Sequence, residues 1–307
     1  MNQPTPIATS LDTAAAGLRR SALAVLSERE PAAKAAAARA LHAQYRAGET
    51  ACRADDIIDE PAGLPGRPER PALVEPRLLR HRGMQTEAGR AVLLHALAHI
   101  ELNAINLALD AIWRFPGLPE AYYADWLLVA AQEAHHFGLL QARLEAFGHT
   151  YGDFPAHDGL WDMCARTRDD VLARMALVPR TLEARGLDAS PPIRARLVQA
   201  GDAASAAILD VILRDEIGHV RIGNRWFRHL CEQRGLEPHE TYARLAKHYR
   251  APRLRGPFNF EARREAGFDE AELAALAAQA AGAAADATDA TQETPATDTG
   301  KDAQQQG

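Results

Sequence analysis

The sequence carries the motif Glu-x-x-His twice. The first copy is Glu133-Ala-His-His136, and the second is Glu216-Ile-Gly-His219. Residues three positions apart project from the same face of an α-helix, so each copy can direct a carboxylate and an imidazole at one point. Carboxylate oxygens and imidazole nitrogens together suit iron and related transition metals. One such pair is common by chance, so the weight of a metal-site prediction rests on what surrounds the two motifs.

Two further glutamates complete a repeated pattern. Glu101 lies 32 positions before Glu133, and Glu183 lies 33 positions before Glu216. Each glutamate falls on the apolar stripe of a long predicted helix. Four buried carboxylates facing one another would repel unless cations lay between them. The alternative is a core of ion pairs without metal. The predicted metal ligands are Glu101, Glu133, His136, Glu183, Glu216 and His219.

Long apolar-periodic segments with short breaks are predicted to hold these residues. They span 86–115, 119–147 and 158–185, and the fourth runs from Gly201-Asp202 to about 234. A short helix is expected after Ser190-Pro191-Pro192. Pro179 lies one turn before Glu183 and could kink the third helix, which makes Glu183 the least secure ligand. Four long helices with short links predict an all-α four-helix bundle.

Composition agrees with a helical, soluble protein. The chain has 307 residues, of which 64 are alanine and only 6% are aromatic, which argues against an all-β fold. The formal net charge of −6 does not suggest a general nucleic-acid binder. Three widely spaced cysteines fit a reducing compartment. No signal peptide is evident and no apolar run approaches the ~18–20 residues that span a bilayer, so we expect a cytoplasmic protein without membrane contact.

The chain divides into four predicted regions. Residues 1–85 hold two alanine-rich helices, at 11–28 and 31–47, and a proline-rich extended arm at 61–76. Residues 86–235 form the bundle, and 236–280 form a helical extension outside it. The segment 281–307 is acidic, alanine-rich and without large apolar residues, so we predict that it is disordered. The arm is either a lid or a strap lying on the core, and a strap is favoured.

Several strings resemble a known superfamily. They are HALAHIELNAINLALDAI, DWLLVAAQEAHHF, YGDFPAHDGLW, ALVPRTLEARGLD and LRDEIGHVRIGNRWF. They resemble the ferritin-like di-iron carboxylate superfamily, and most of all a bacterial ferritin-like family of unknown function, over about 73–273. More distantly, Glu183-Ala184-Arg185 is similar to a string of the tRNA isopentenyladenosine hydroxylase. The resemblance implies two iron ions on the six predicted ligands, with manganese or a mixed site possible.

The leading functional hypothesis is a di-iron oxidoreductase, a dioxygen-dependent hydroxylase or oxidase acting on a small-molecule substrate. The alternatives are an iron-binding or ferroxidase protein, a tRNA-modifying hydroxylase and a non-catalytic helical scaffold. A homodimer is common for such bundles, and the sequence leaves the oligomeric state open. The tRNA alternative draws on a basic stretch, for which a solvated face is the favoured interpretation. That stretch contains Lys247, Arg250, Arg253, Arg255, Arg263 and Arg264.

Other polar residues near the pattern have competing interpretations. His95 and His99 could bind a further metal or shuttle protons, but a role in supporting the metal ligands or a surface position is favoured. His135 should face away from the metal ligands. His157 or Asp158 could close over a channel, although an N-cap role for Asp158 is favoured. Three aromatic residues are either redox partners or core packing, and packing is favoured: Tyr122, Tyr123 and Trp126.

Overall fold

The computed structural model describes residues 17–79 and 83–292, with the side chains of 282–292 left out of that description. Within this part of the chain all regular elements are helical, apart from one isolated parallel bridge between Leu73 and Ala156. The predicted all-α class is therefore confirmed. The helices are α1 (Leu18–Ser27), α2 (Pro31–Arg46), α3 (Glu87–Arg114), α4 (Glu120–Glu145), α5 (Gly159–Arg166), α6 (Val171–Leu177), α7 (Ala184–Gln199), α8 (Ala203–Gln233), α9 (Pro238–His248), α10 (Phe260–Glu265) and α11 (Glu270–Gln292).

Helices α3, α4 and α8 match the predicted boundaries because local signals fix their ends. Thr86 caps α3 by accepting a hydrogen bond from the Gly89 N–H at 3.1 Å. Asp202 caps α8 by accepting from the Ser205 N–H at 3.0 Å. Arg19 of α1 donates to backbone carbonyls at the end of α3, where a cation is favoured by the helix dipole.

The prediction of a single third helix is wrong. Residues 158–185 instead form α5, a break at 167–170, α6 and a π-helical segment at Val178–Glu183 that leads directly into α7. Asp170 caps the start of α6, because its side chain accepts a hydrogen bond from the Leu172 N–H at 2.9 Å. Pro179 has no N–H to donate and its ring clashes with a regular helical turn, so the turn widens. The Thr181 hydroxyl donates to the Ala176 carbonyl at 2.8 Å.

Helix α7 also passes through two expected breaks. It continues beyond Gly186 and holds Pro191 and Pro192 in its interior, so the short separate helix predicted after Ser190 does not exist. The Ser190 hydroxyl donates to the Gly186 carbonyl at 2.8 Å, in the turn before the prolines. Leu187 and Leu197 are buried there, and this tertiary packing outweighs the local helix-breaking signals.

The long helices share one core. Helix α3 packs on α4, α4 packs on α8, and the segment from α6 to α7 packs on α8. Helices α1 and α2 cover α3 and α4 from outside. The helices therefore bring the apolar stripes of α3, α4 and α8, together with the π segment, to a common interior.

The N-terminal helices agree with the prediction where they are described, while residues 1–16 lie outside the described residues. The arm at 61–76 has no helix before Pro76. Its Gly66 N–H donates to the Leu26 carbonyl at 2.9 Å. Its Arg67 pairs with Asp158 at 2.7 Å. These contacts support the strap interpretation.

Asp158 does not act as expected. It occupies the position before α5, but its carboxylate makes no capping hydrogen bond. Both of its oxygens accept from Arg67 instead, because the arm crosses the start of that helix.

The C-terminal extension is helical as predicted, in three pieces. Helix α11 runs to Gln292, so 281–292 is helical where disorder was predicted, and 293–307 lies outside the described residues. The alanine content of that segment favours helix. In the basic stretch, Arg263 is buried against Asp188 and Arg264 pairs with Glu270, so neither presents an unpaired charge.

Helix α3 has the length and composition of a membrane span, in contrast to the expectation that no segment would. However, 72% of its most apolar window is buried inside the protein. This burial is typical of the core helix of a soluble protein.

We predict that D110N destabilises the protein strongly. Asp110 is fully buried and pairs with Arg174 and Arg114. Burial alone would raise the pKa of Asp110, but the two guanidinium groups hold it below its usual value. Neutralising the carboxylate leaves buried guanidinium charge unpaired, which costs about 3–5 kcal/mol.

Urea denaturation measures this effect, with D210N as the control. Asp210 pairs with Arg194 at the surface, where both side chains are exposed, so its loss should change stability little. Equal midpoints for D110N and D210N would contradict the prediction.

Candidate metal centre

Three helices bring four of the predicted ligands together. Glu101 comes from α3, Glu133 and His136 from α4, and Glu216 from α8. One ligand atom from each lies within 4.8 Å of the others, and all four residues are buried. Such a group could hold a metal ion.

Glu133 lies between the two imidazoles. His136 Nδ1 is 3.3 Å from Glu133 Oε2 and 3.1 Å from Glu101 Oε2. His219 Nδ1 is 2.9 Å from Glu133 Oε1 and 3.7 Å from Glu216 Oε2. The two oxygens of Glu133 therefore face different imidazoles, each with one further carboxylate beside it. The arrangement forms two similar half-sites that share Glu133.

The outer ring nitrogens have partners that the sequence reasoning missed. His136 Nε2 is 3.0 Å from Asp215 Oδ2, and His219 Nε2 is 3.0 Å from Gln132 Oε1. In a neutral imidazole, the form that binds a metal, Nε2–H donating to these oxygens leaves the Nδ1 lone pair facing the carboxylates. A signal for them was present, because Gln132 directly precedes Glu133 and Asp215 directly precedes Glu216. Each motif supplies the partner for the other motif's histidine.

Glu183 lies at the end of the π segment rather than on a regular helix. Its Oε2 is buried and has no hydrogen-bond partner among the described residues. Burial, followed by the charges of Glu216 and Glu133, raises its pKa well above the usual value. Glu183 is thus oriented toward the same region, although it does not belong to the tight group of four.

The charges in this cluster are poorly balanced by the protein alone. Burial and the charge of Glu133 raise the pKa of both Glu101 and Glu216. Burial opposes ionisation of Glu133 too, but His219 and His136 hold its pKa below the usual value. Burial would lower the pKa of the imidazoles, yet the carboxylates raise it to about 12 for His136 and about 10 for His219. The cluster favours added positive charge.

Unpartnered atoms show that the residues fit a metal. Buried atoms without a hydrogen-bond partner among the described residues include Glu133 Oε1, Glu216 Oε2 and His219 Nδ1. Buried polar atoms are normally paired. His219 Nδ1 and Glu133 Oε1 are close, but they lack hydrogen-bond geometry. Both atom types coordinate metal ions, and the mixed oxygen and nitrogen donor set fits iron or manganese.

Gly223 allows α8 to approach the π segment. A Cβ at this position would lie 2.5 Å from the Pro179 Cβ and 2.6 Å from its Cγ. The pyrrolidine ring cannot rotate away, so any larger residue must push the two elements apart. This close approach fixes the position of the segment that carries Glu183.

The remaining candidates lie away from the cluster. His95 and His99 are buried and bind the 149–158 loop, where His95 Nε2 accepts from the Gly152 N–H at 2.9 Å and His99 Nδ1 lies 2.8 Å from the Tyr151 hydroxyl. They are therefore not surface residues. His135 is exposed, as predicted. The aromatic residues predicted to pack in the core are buried: Tyr122, Tyr123 and Trp126.

The family model described as "Protein of unknown function (DUF455)" matches residues 27–274, which is most of the chain. The chain belongs to the DUF455 family. An uncharacterized protein of Haemophilus influenzae is 49% identical over 213 residues, which cover 67% of this chain and 74% of the relative. No solved structure matches the chain. The range matched by the DUF455 model includes every predicted ligand.

We predict that G223A disturbs the centre. The added methyl group collides with Pro179 and displaces the π segment, at a cost of about 1–3 kcal/mol for overpacking. Thermal denaturation should therefore show a lower Tm, and metal content per chain should fall together with it.

The matched control is G218A on the same helix, five positions earlier. A Cβ there meets no heavy atom within 4 Å, and alanine favours helix by up to ~1 kcal/mol. We expect an unchanged or higher Tm. A G223A variant that behaves like G218A would show that the close approach is unimportant.

Proposed function

We propose that this protein binds two iron ions at the cluster and acts as a di-iron oxidoreductase, a dioxygen-dependent hydroxylase or oxidase of a small molecule. The observation that carries the proposal is the position of Glu133, whose two oxygens face two different imidazoles, each beside a further carboxylate. Two half-sites sharing one carboxylate suit two cations better than one.

The origin of the ligands supports a ferritin-like four-helix bundle. Glu101 and Glu183 each come from a segment that supplies one glutamate, and α4 and α8 each supply Glu-x-x-His. This is the ligand distribution of ferritin-like di-iron and di-manganese proteins. Manganese or a mixed site would fit the same donors.

When bound, ferrous iron would supply the electrons that reduce dioxygen. The residues of the chain have the remaining tasks. Glu133 would contribute to both half-sites, while Glu101 and Glu216 would each complete one of them. Asp215 and Gln132 keep the imidazoles in one orientation through their Nε2 atoms. The buried setting of Glu133, His136 and His219 excludes water from the cluster.

We predict that E133Q lowers metal content sharply. The glutamine keeps the shape of the side chain but removes the negative charge and one of the two acceptor oxygens. Loss of an outer partner alone costs about 10–100-fold in metal affinity, so loss of this shared ligand should cost at least that. Native protein loaded anaerobically with ferrous iron should contain about two ions per chain, measured by elemental analysis.

The matched control is E145Q at the exposed end of the same helix, which should retain the native metal content. Optical spectra before and after adding dioxygen to the ferrous protein test the redox part. Native protein with less than half an ion per chain after loading would overturn the proposal and favour an ion-pair scaffold. Metal binding without a spectral response to dioxygen would contradict the oxidoreductase assignment.

A further inference from the structure

A small cavity lies between the arm and the side of α3 that faces away from the metal cluster. It is lined by Gly66 and Arg67 of the arm, by Asn103 and Asn106 of α3, and by Tyr151, among others. The space open to water-sized molecules is about 30 Å³, which corresponds to about two or three waters. A ligand of only a few heavy atoms fits it.

A buried lysine lies directly behind this cavity. Lys34 of α2 is only 2% exposed. Its Nζ donates to the Gly66 carbonyl at 2.8 Å and to Asn106 Oδ1 at 2.6 Å. Both acceptors are neutral, and Lys34 forms no ion pair with a carboxylate of the described residues. A buried ammonium without a negative partner is costly.

The nearby charge of Arg67 further disfavours the charged form of Lys34. Burial and then the charge of Arg67 lower the pKa of Lys34 to about 7, and Glu28 only partly opposes them. Arg67 itself is neutralised by Asp158, with which it pairs through Nη2 alone. The carboxylate of Asp158 is therefore already paired with Arg67, and Lys34 has no carboxylate partner of its own among the described residues.

The cavity wall offers free hydrogen-bonding groups. Asn106 directs Oδ1 at Lys34, so its Nδ2 is left as a donor that bonds to no described residue. Asn103 Nδ2 donates to the His99 carbonyl at 2.9 Å, which leaves its Oδ1 unbonded to the described residues. Arg67 Nε and Nη1 are likewise free of partners in the described part of the chain. Three of these four free groups are donors, and they lie near a buried lysine that has no carboxylate partner among the described residues.

We propose that this cavity binds a small planar oxyanion, of the size of formate, bicarbonate or acetate, as the counter-charge of Lys34. The oxyanion would accept from Asn106 Nδ2 and the Arg67 guanidinium. The arm forms one wall of the cavity through Gly66 and Arg67.

Thermal denaturation of the full chain in sodium formate, acetate or bicarbonate, against sodium chloride at equal ionic strength and pH, tests the proposal. An anion that binds only the folded state raises Tm as its concentration exceeds Kd. We expect such a rise for at least one of the three probes with native protein. K34M should lose the rise, and its Tm in sodium chloride should be lower than that of native protein, because the Gly66 carbonyl and Asn106 Oδ1 both lose the donor.

K247M is the matched control, since it removes the same charge from an exposed position on α9 and should keep the native response. A second variant, N106D, places a carboxylate 2.6 Å from Lys34 and should abolish the response by supplying the counter-charge internally. Absence of any rise in native protein, or a native response in K34M or N106D, would overturn the proposal. Metal content should be native in both variants, which separates this inference from the proposed metal site.

Discussion

The repulsion among buried carboxylates is the constraint on which the rest of the structure depends. Burial raises the pKa of Glu101, Glu183 and Glu216, and each also lies within the field of another glutamate. The two imidazoles offset only part of that charge, chiefly at Glu133. Burying these carboxylates does not stabilise the apolar core. Contacts elsewhere must therefore hold the helices that carry them in place.

Those contacts lie at the periphery of the cluster. Pro179 packs against Gly223, and this contact fixes the π segment. Arg180 from the same segment lies over the rings of Phe227, Tyr242 and Phe268 and pairs with Glu272 of α11. The C-terminal helices are thus tied to the segment that bears Glu183. The extension stabilises the geometry of the cluster from outside, through a cation held among aromatic rings.

Sequence reasoning succeeded where the signal was local. The side chains of Thr86 and Asp202 cap the starts of their helices, and the apolar stripes that contain Glu101 and Glu133 identified the buried faces of α3 and α4. It failed at Gly186 and Pro191, where packing of neighbouring leucines outweighs local preference. It also missed Lys34, because α2 is alanine-rich on all sides and shows no stripe from which a buried position could be inferred. The partners Asp215 and Gln132 depend on how two helices are paired in space.

The π segment makes helix winding a property of the site. A π turn holds about one more residue than an α turn, so each of its residues turns the chain by less than the roughly 100° of an α-helical residue. The six residues Val178–Glu183 therefore turn the chain about as far as five α-helical residues. Winding all six as a regular α-helix would turn Glu183 by up to roughly a quarter turn and out of the cluster, even though every ligand remained in the sequence. A substitution that lets the segment wind regularly would therefore move Glu183, whereas the deletion of one residue together with regular winding would keep its direction.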